Sequence, residues 1–233
     1  MKDGYLVKIC GTTNMEDALI SYQEGADYFG VVVEVGFSKR SLTIEEAESL
    51  FANPPIPAVA LVFCMQEERL RYLVEKLHPF SIQFLSQEAP ELIRRMKKDY
   101  PGLELWQSVH LPCAGEGVNL DGVKRIASEY IDSGVDLLLF DTVAKVDGVQ
   151  KFGGTGLTSD WSVVKELMGT VGGKVPVLLA GGIRPENVEE AISYLKPAGV
   201  DLCSGVEAYP GKKDPVKIKQ LMRNVRKMEM KKL

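Results

Sequence analysis

Residues 175–205 read VPVLLAGGIRPENVEEAISYLKPAGVDLCSG, and they contain a complete β/α unit followed by the next strand. The apolar run at 175–180 is typical of a buried strand, and residues 187–195 have the apolar spacing of a helix. Another short β-rich run follows at 200–203. Because a strand–helix–strand crossover returns the chain to the same end of a sheet, this stretch predicts two parallel strands.

The same unit recurs along the whole chain. The predicted strands cover residues 6–9, 28–33, 58–63, 81–85, 103–109, 135–140, 175–180 and 200–203, and a helical pattern follows each of them. Thr43 and Glu46 form a capping box at the start of one such helix. Eight units in 233 residues predict one (β/α)8 barrel domain over residues 1–233. A doubly wound sheet is the competing fold, but no GxGxxG motif follows the first strand.

The composition restricts the partners. Hydrophobic residues make up 45% of the chain and charged residues 26%, and the formal net charge is −4, so we expect no nucleic-acid partner. No apolar run reaches the roughly 18 residues of a membrane span, so we expect no membrane partner. The N-terminal residues lack the apolar segment of a secretory signal. Cys10, Cys64, Cys113 and Cys203 form no CxxC pair, which disfavours a metal site and indicates reduced thiols in a cytoplasmic protein.

Small and polar residues follow the predicted strands at the end where barrel enzymes carry their sites. Glycines in such loops let backbone N–H groups approach an oxyanion, and a serine adds a hydroxyl donor. Tight turns are the alternative explanation for any one of these glycines, but three clusters at one barrel end favour a phosphate site. The predicted phosphate-binding residues are Gly154, Gly156, Gly181, Gly182, Ser204 and Gly205.

Two titratable side chains follow strands on different sides of the predicted barrel. Cys10 follows the first strand and, because side chains alternate, shares a face with Lys8. A lone cysteine is usually a small buried hydrophobe, whereas a thiolate can also act as a general base. Asp141 follows the sixth strand, where a carboxylate either anchors the loop or, with a raised pKa, donates a proton. Arg40 alone would be interpreted as a surface charge.

The chain resembles the phosphoribosylanthranilate isomerase family of tryptophan biosynthesis. The matching segments span nearly the whole chain in family order, and as a set they are specific. They are KICGTTN at 8–14, EDA at 16–18, GAD at 25–27, SKR at 38–40, LFDT at 139–142, GGTG at 153–156, DW at 160–161, AGGIRPENV at 180–188, VD at 200–201 and SGVEA at 204–208.

The resemblance implies an Amadori rearrangement of a phosphoribosylamine, catalysed without a metal or an organic cofactor. Asp141 would be the general acid that opens the furanose ring, and Cys10 the general base that removes the proton from C2. Arg40 would hold the anthranilate carboxylate, and Asp201 would contact the sugar hydroxyls, with Lys8 beside them. The substrate would be a small phosphosugar.

Two positions depart from the family pattern. The family usually carries Gln-Leu-His-Gly after the fourth strand, where this chain has Gln-Phe-Leu-Ser at 83–86, and Leu157 stands where a polar residue is common. We hypothesise that His110, after the fifth strand, substitutes for the missing histidine as a substrate-binding residue. An exposed loop histidine is the alternative.

Two other functions stay open at this point. One is a paralogous aldose–ketose isomerase that acts on a different phosphoribosylamine, and the other is a catalytically silent phosphosugar-binding barrel. Retention of both Cys10 and Asp141 argues against the silent barrel, because binding alone requires neither. The oligomeric state is also open, with a homodimer as one alternative.

Overall fold

The computed structural model describes residues 4–112, 117–146, 149–152 and 160–230. The strands in these residues are β1 (Leu6–Ile9), β2 (Tyr28–Val33), β3 (Ser41–Leu42), β4 (Ala58–Val62), β5 (Ser81–Phe84), β6 (Glu104–Pro112), β7 (Leu137–Val146), β8 (Val149–Phe152), β9 (Val177–Leu179), β10 (Gly199–Leu202), β11 (Glu207–Tyr209) and β12 (Lys212–Lys213). The helices are α1 (Met15–Glu24), α2 (Ile44–Ala52), α3 (Glu67–Leu77), α4 (Pro90–Asp99), α5 (Leu120–Ser133), α6 (Trp161–Val171), α7 (Val188–Leu195) and α8 (Pro215–Met230).

Eight parallel strands close into a barrel, which confirms the predicted fold class. Their order is β1, β2, β4, β5, β6, β7, β9 and β10, and β10 pairs with β1 to complete the ring. At the closure Val7 is the register partner of Val200, and Lys8 that of Asp201. Every connection between these strands carries a helix, so all strands end in the carboxyl direction at one rim.

Alternation along the strands divides the apolar residues into two layers. Val7 and Ile9 of β1 face the helices and belong to the large core between sheet and helix ring. The barrel interior is a smaller cluster built from Val59, Leu61, Trp106, Leu139 and Leu178, among others. Successive strand residues point to opposite faces, so each strand supplies both layers. The packed interior leaves room for chemistry only at the rims.

Two strands are longer than predicted. The predicted strands end at residues 109 and 140, whereas β6 continues to Pro112 and β7 to Val146. The extension of β7 pairs antiparallel with β8, which is absent from the predicted strands. As a result, His110 and Asp141 lie within strands and are register partners, rather than residues of loops.

Other short elements at the rim were also absent from the prediction. β3 pairs with the end of β2, and a 3-10 turn (Ser204–Val206) leads into the antiparallel hairpin of β11 and β12. These strands have two or three residues, which is too few to show an alternation of apolar and polar side chains in the sequence. Their formation therefore depends on contacts with the barrel. No helix in the described part of the chain is long and apolar enough to cross a membrane.

The predicted capping box at the start of α2 is present. The Thr43 hydroxyl accepts from the Glu46 backbone N–H at 3.1 Å, and the Glu46 carboxylate accepts from the Thr43 N–H at 2.8 Å. Gln66 holds the corresponding position before α3 without a side-chain hydrogen bond.

We expect Thr43→Ala to lower the free energy of unfolding by about 1 kcal/mol in urea denaturation, because it leaves a helix donor without its cap.

Gln66→Ala is the matched control, and its expected effect lies within about 0.5 kcal/mol. Equal losses in the two variants would contradict the stabilising role of this cap.

Candidate active site

A cleft of about 730 Å³ opens at the carboxyl ends of the barrel strands. Most of the predicted site residues in the described part of the chain line it, namely Cys10, Arg40, Asp141, Gly181, Gly182, Asp201, Ser204 and Gly205. Lys8 and His110 lie behind this lining. Gly154 and Gly156, which were predicted to bind phosphate, lie outside the described residues. The cleft therefore brings together groups from β1, β2, β7, β9 and β10.

Cys10 stands at the rim directly after β1. Its backbone N–H donates to Leu202 O at 2.8 Å, which extends the pairing of β1 with β10 by one residue. The register then sets Cys203 beside Cys10, and the Cys203 thiol donates to Glu207 Oε1 at 4.0 Å. Cys64, which also follows a barrel strand, is exposed, and it does not line this cleft.

The two thiols influence each other's ionisation. The adjacent Cys203 thiol and burial raise the pKa of Cys10 well above its usual value, although Lys8 lowers it. The Cys10 thiol, Lys213 and Arg40 lower the pKa of Cys203, against the effect of burial. Because two adjacent thiolates repel each other, the loss of one proton from the pair makes the loss of the second harder.

Lys8 and Asp201 form a buried ion pair beneath the cleft. Lys8 Nζ donates to Asp201 Oδ2 at 2.9 Å, and the Lys8 side chain is fully buried. Burial raises the pKa of Asp201, while Lys8 opposes that rise. The other oxygen, Oδ1, has no hydrogen-bond partner among the described residues, and Asp201 lines the cleft. Because Oδ1 is buried without a partner beside the cleft, it is a candidate acceptor for a ligand hydroxyl that reaches Asp201, whereas Lys8 holds Asp201 in place.

Asp141 faces Cys10 across the cleft and lies in an environment that favours its protonated form. Burial is the largest cause of its raised pKa, and the nearby Asp201 adds to it, while His110 lowers it. The Thr142 backbone N–H donates to Asp141 Oδ1 at 2.7 Å and fixes the carboxyl group. A carboxylic acid with a raised pKa can deliver a proton near neutral pH.

His110 is half-buried and is not among the residues that line the cleft. Its Nε2 forms a hydrogen bond with the carbonyl oxygen of Leu85, which follows β5 and lines the cleft. Leu85 occupies the position at which the resembling family usually carries histidine. His110 thus reaches the part of the rim that the hypothesis assigned to it, with the Leu85 backbone as its contact and the Asp141 carboxyl within its electrostatic influence.

Arg40 is largely buried in an ion pair rather than being a surface charge. Its Nε and Nη2 donate to the two carboxylate oxygens of Glu207 at 2.8 and 2.6 Å, the bidentate arrangement that arginine prefers. Glu207 Oε1 also accepts from the buried Lys213 Nζ at 3.0 Å, and that ammonium donates in turn to Cys10 O. Arg40 still lines the cleft, which leaves its Nη1 group for a ligand.

The loops after β9 and β10 form one end of the cleft. Gly181 and Gly182 have φ values of 76° and 67°, in the left-handed region that favours glycine. A Cβ on Gly181 would collide with the side chain and amide of Thr142, and one on Gly205 with the Ile183 carbonyl. An adjoining depression adds two cations, Arg184 and Lys217. Bare backbone and positive charge at one end of the cleft suit a phosphate group.

The opposite end is apolar and is formed by the rims of β2, β4 and β5. Val32, Val35, Phe37, Leu61 and Leu85 line it. This division gives the cleft a polar end, a central pair of titratable groups and an apolar end.

Several lining or supporting residues were missed from the sequence. Cys203 could have been found, because it follows its strand as Cys10 follows β1. Gln83 lines the cleft and its buried Oε1 has no hydrogen-bond partner among the described residues. Glu207 falls in the matching segment 204–208 but no role was assigned to it, and Lys213 carries no local signal, because their contacts with Arg40 and Cys10 join residues that are distant in the chain.

Comparison with known proteins assigns the family. The profile described as N-(5'phosphoribosyl)anthranilate (PRA) isomerase matches residues 7–224. This chain belongs to the phosphoribosylanthranilate isomerase family. An N-(5'-phosphoribosyl)anthranilate isomerase of Methanocella arvoryzae is 37% identical over 223 residues, covering 94% of this chain and 97% of the relative.

Solved structures of the family agree with the fold. A structure of monomers generated from the dimeric phosphoribosylanthranilate isomerase of Thermotoga maritima has a TM-score of 0.77 and 31% identity, covering 96% of this chain and 99% of the relative. Another phosphoribosylanthranilate isomerase was solved with reduced 1-(o-carboxyphenylamino)-1-deoxyribulose 5-phosphate, and its TM-score is 0.75 at 29% identity, with the same coverage. Within the described residues, no cluster of three or more His, Cys, Asp and Glu side chains is arranged to hold a metal ion.

The charge of Glu207 compensates two buried cations. Its side chain is 3% exposed, and those of Arg40 and Lys213 are 16% and 0% exposed. We expect Glu207→Gln to lower the free energy of unfolding by about 3 kcal/mol in urea denaturation, because both cations then lack their counter-charge. Glu16 pairs with Lys212 at 2.8 Å but is 75% exposed, so Glu16→Gln should cost less than about 1 kcal/mol. Equal costs would contradict this assignment.

Proposed function

We propose that this protein isomerises N-(5'-phosphoribosyl)anthranilate to 1-(o-carboxyphenylamino)-1-deoxyribulose 5-phosphate, an aldose–ketose rearrangement of tryptophan biosynthesis. The observation that carries the proposal is that Cys10 and Asp141 line one cleft, between a glycine-rich end and an apolar end. A reaction that delivers one proton and removes another needs an acid and a base that both reach the substrate.

Asp141 is the general acid in this proposal. Its protonated carboxyl donates to the ring oxygen of the furanose, the C1–O bond breaks, and the anthranilate nitrogen forms a Schiff base with C1. Burial raises the pKa of Asp141, which favours its protonated form, and the Thr142 N–H stabilises the carboxylate that forms after proton transfer.

Cys10 is the general base, and Cys203 shares its charge. The pair carries a single negative charge, and transfer of the shared proton from Cys10 to Cys203 leaves the thiolate on Cys10. That thiolate removes the proton from C2, giving an enolamine that tautomerises to the ketose. Lys8 supports this step, because its ammonium lowers the pKa of Cys10.

The remaining residues bind and orient the substrate. Backbone N–H groups around Gly181, Gly182 and Gly205, with the Ser204 hydroxyl, hold the phosphate in the proposal. Asp201 Oδ1 accepts from a sugar hydroxyl, and Arg40 Nη1 donates to the anthranilate carboxylate. Gly154 and Gly156 stay predicted phosphate contacts on the strength of the resemblance. No metal or organic cofactor is required by these steps.

Three wider properties accompany the proposal. The 233 residues act as one barrel domain. A role in tryptophan biosynthesis implies a cytoplasmic protein with a small-molecule substrate. The dimeric relative from Thermotoga maritima supports a homodimer as one assembly of this chain.

The acid–base pair can be tested by turnover of freshly made phosphoribosylanthranilate, followed by loss of its fluorescence. We expect wild-type protein to be active, and kcat/KM of Cys10→Ala and of Asp141→Asn to fall about a hundredfold or more, because each lacks one proton transfer. Cys64→Ala is the matched cysteine control and should retain activity, because Cys64 is exposed. A Cys64→Ala variant as inactive as Cys10→Ala would reassign the base.

A well-folded wild-type protein that binds phosphate without turning this substrate over would reject the proposed reaction. Turnover of another phosphoribosylamine would then favour a paralogous isomerase, and absence of any turnover a silent binding barrel.

His110 is proposed as a positioning residue for Asp141 and for the rim after β5. His110→Ala should raise KM severalfold, because the Leu85 backbone loses its contact. Asp141 must be protonated to act as the acid, so activity falls as pH rises through its pKa. Since His110 lowers that pKa, its removal should move the alkaline limb of the kcat/KM profile to higher pH.

His78→Asn is the control, because His78 ends α3 at the opposite rim in a left-handed conformation that asparagine tolerates. Wild-type KM and pH profile in His110→Ala would contradict its role.

A further inference from the structure

Phe37 is an exposed aromatic residue on the rim of the cleft. Its side chain is 57% exposed, and it lines the apolar end. It packs edge-on against Phe63, with ring centroids 5.0 Å apart and an interplanar angle of 89°. Phe63 follows β4, so the two rings join the rims of neighbouring barrel strands.

The segment that carries Phe37 is held by hydrogen bonds. The Ser38 N–H donates to Val35 O at 2.9 Å, and the Ser41 hydroxyl accepts from the Val35 N–H at 2.8 Å. Arg40 further anchors the segment through its bidentate pair with Glu207. A ring on an anchored turn keeps its position without a ligand, so little conformational entropy is lost when a ligand packs against it.

The position of Phe37 matches one end of an elongated ligand. The glycines after β9 and β10 lie on one side of Cys10, and the rims of β2 and β4 lie on the other, because β1 separates these pairs around the barrel. A ligand with its phosphate at the glycines and its sugar beside Cys10 therefore extends its third group toward Phe37. Arg40, on the same turn, brings a cation to that end.

We propose that Phe37, supported by Phe63, determines specificity for an aryl group bearing a carboxylate at this end of the cleft. The proposal rests on the proposed function and names the residue that selects the aglycone. The ring of the ligand packs against the face or edge of Phe37 and covers apolar surface that is otherwise exposed, while Arg40 meets the carboxylate. In this chain Leu85 stands where the family usually carries histidine and offers the ligand no polar side chain. The aromatic contact with Phe37 provides binding at the same end of the cleft.

The test compares two ligands that differ in the aryl group. Reduced 1-(o-carboxyphenylamino)-1-deoxyribulose 5-phosphate carries the ring, and ribose 5-phosphate lacks it. Kd values are measured by calorimetry for wild type, Phe37→Ala and Phe37→Leu. We expect Phe37→Ala to raise the Kd of the aryl ligand about tenfold, in keeping with a lost aromatic contact. Phe37→Leu should raise that Kd less, and the Kd of ribose 5-phosphate should change less than about twofold in either variant.

Tyr22→Ala is the control for loss of an exposed ring, because Tyr22 is 53% exposed on α1, away from the cleft. It should leave both Kd values unchanged, and melting curves check the fold of every variant. An unchanged Kd for the aryl ligand in Phe37→Ala, or equal weakening of both ligands, would overturn the role of Phe37.

The outcome also separates this proposal from the proposed function. If the wild-type protein turns over phosphoribosylanthranilate and the Kd of the aryl ligand is unchanged in Phe37→Ala, only the specificity role of Phe37 is overturned. Equal affinity of wild-type protein for the two ligands, without turnover, would overturn both.

Discussion

The arrangement of the site depends on the buried carboxylate of Glu207, which holds two cations at once. It fixes Arg40 after β2 and Lys213 in β12, and Lys213 in turn donates to the backbone of Cys10 after β1. The chain segments that follow β1, β2 and β10 are therefore joined through one side chain. Lys8 and Asp201 add a second buried pair beneath them. Buried charges are tolerated only when they are paired, so the geometry of the cleft and the stability of its walls have the same origin.

The same charges set the ionisation of the groups that are proposed to move protons. Lys8 lowers the pKa of Cys10, whereas Cys203 and burial raise it, and Lys213 and Arg40 lower the pKa of Cys203. On the other side of the cleft, burial raises the pKa of Asp141. One side of the cleft thus favours a shared negative charge and the other a protonated carboxyl. An acid and a base with opposite environments are what an aldose–ketose rearrangement needs.

Features with a local cause could be predicted from the sequence, and features with a distant cause could not. The barrel and the glycine clusters follow from runs such as 175–205, in which strand, turn and helix are neighbours in the chain. The extension of β7 depends on pairing with β8, and the burial of Arg40 depends on Glu207, which lies 167 residues away. For that reason Arg40 alone suggested a surface charge, and His110 suggested a loop. Cys10 and Asp141 could be singled out as candidates because each directly follows an apolar run, and both line the cleft, whereas their proposed roles rest on the resemblance.

We propose that one cleft binds a phosphate, a sugar and an aryl group in a fixed order along its length. A crystal structure of the protein with reduced 1-(o-carboxyphenylamino)-1-deoxyribulose 5-phosphate would show that order. We expect the phosphate at Gly181, Gly182 and Gly205, the reacting carbons between Cys10 and Asp141, and the ring at the apolar end. A ligand bound in the reverse direction, or with its C1 and C2 out of reach of both side chains, would rule out this order and the proposed roles of Cys10 and Asp141.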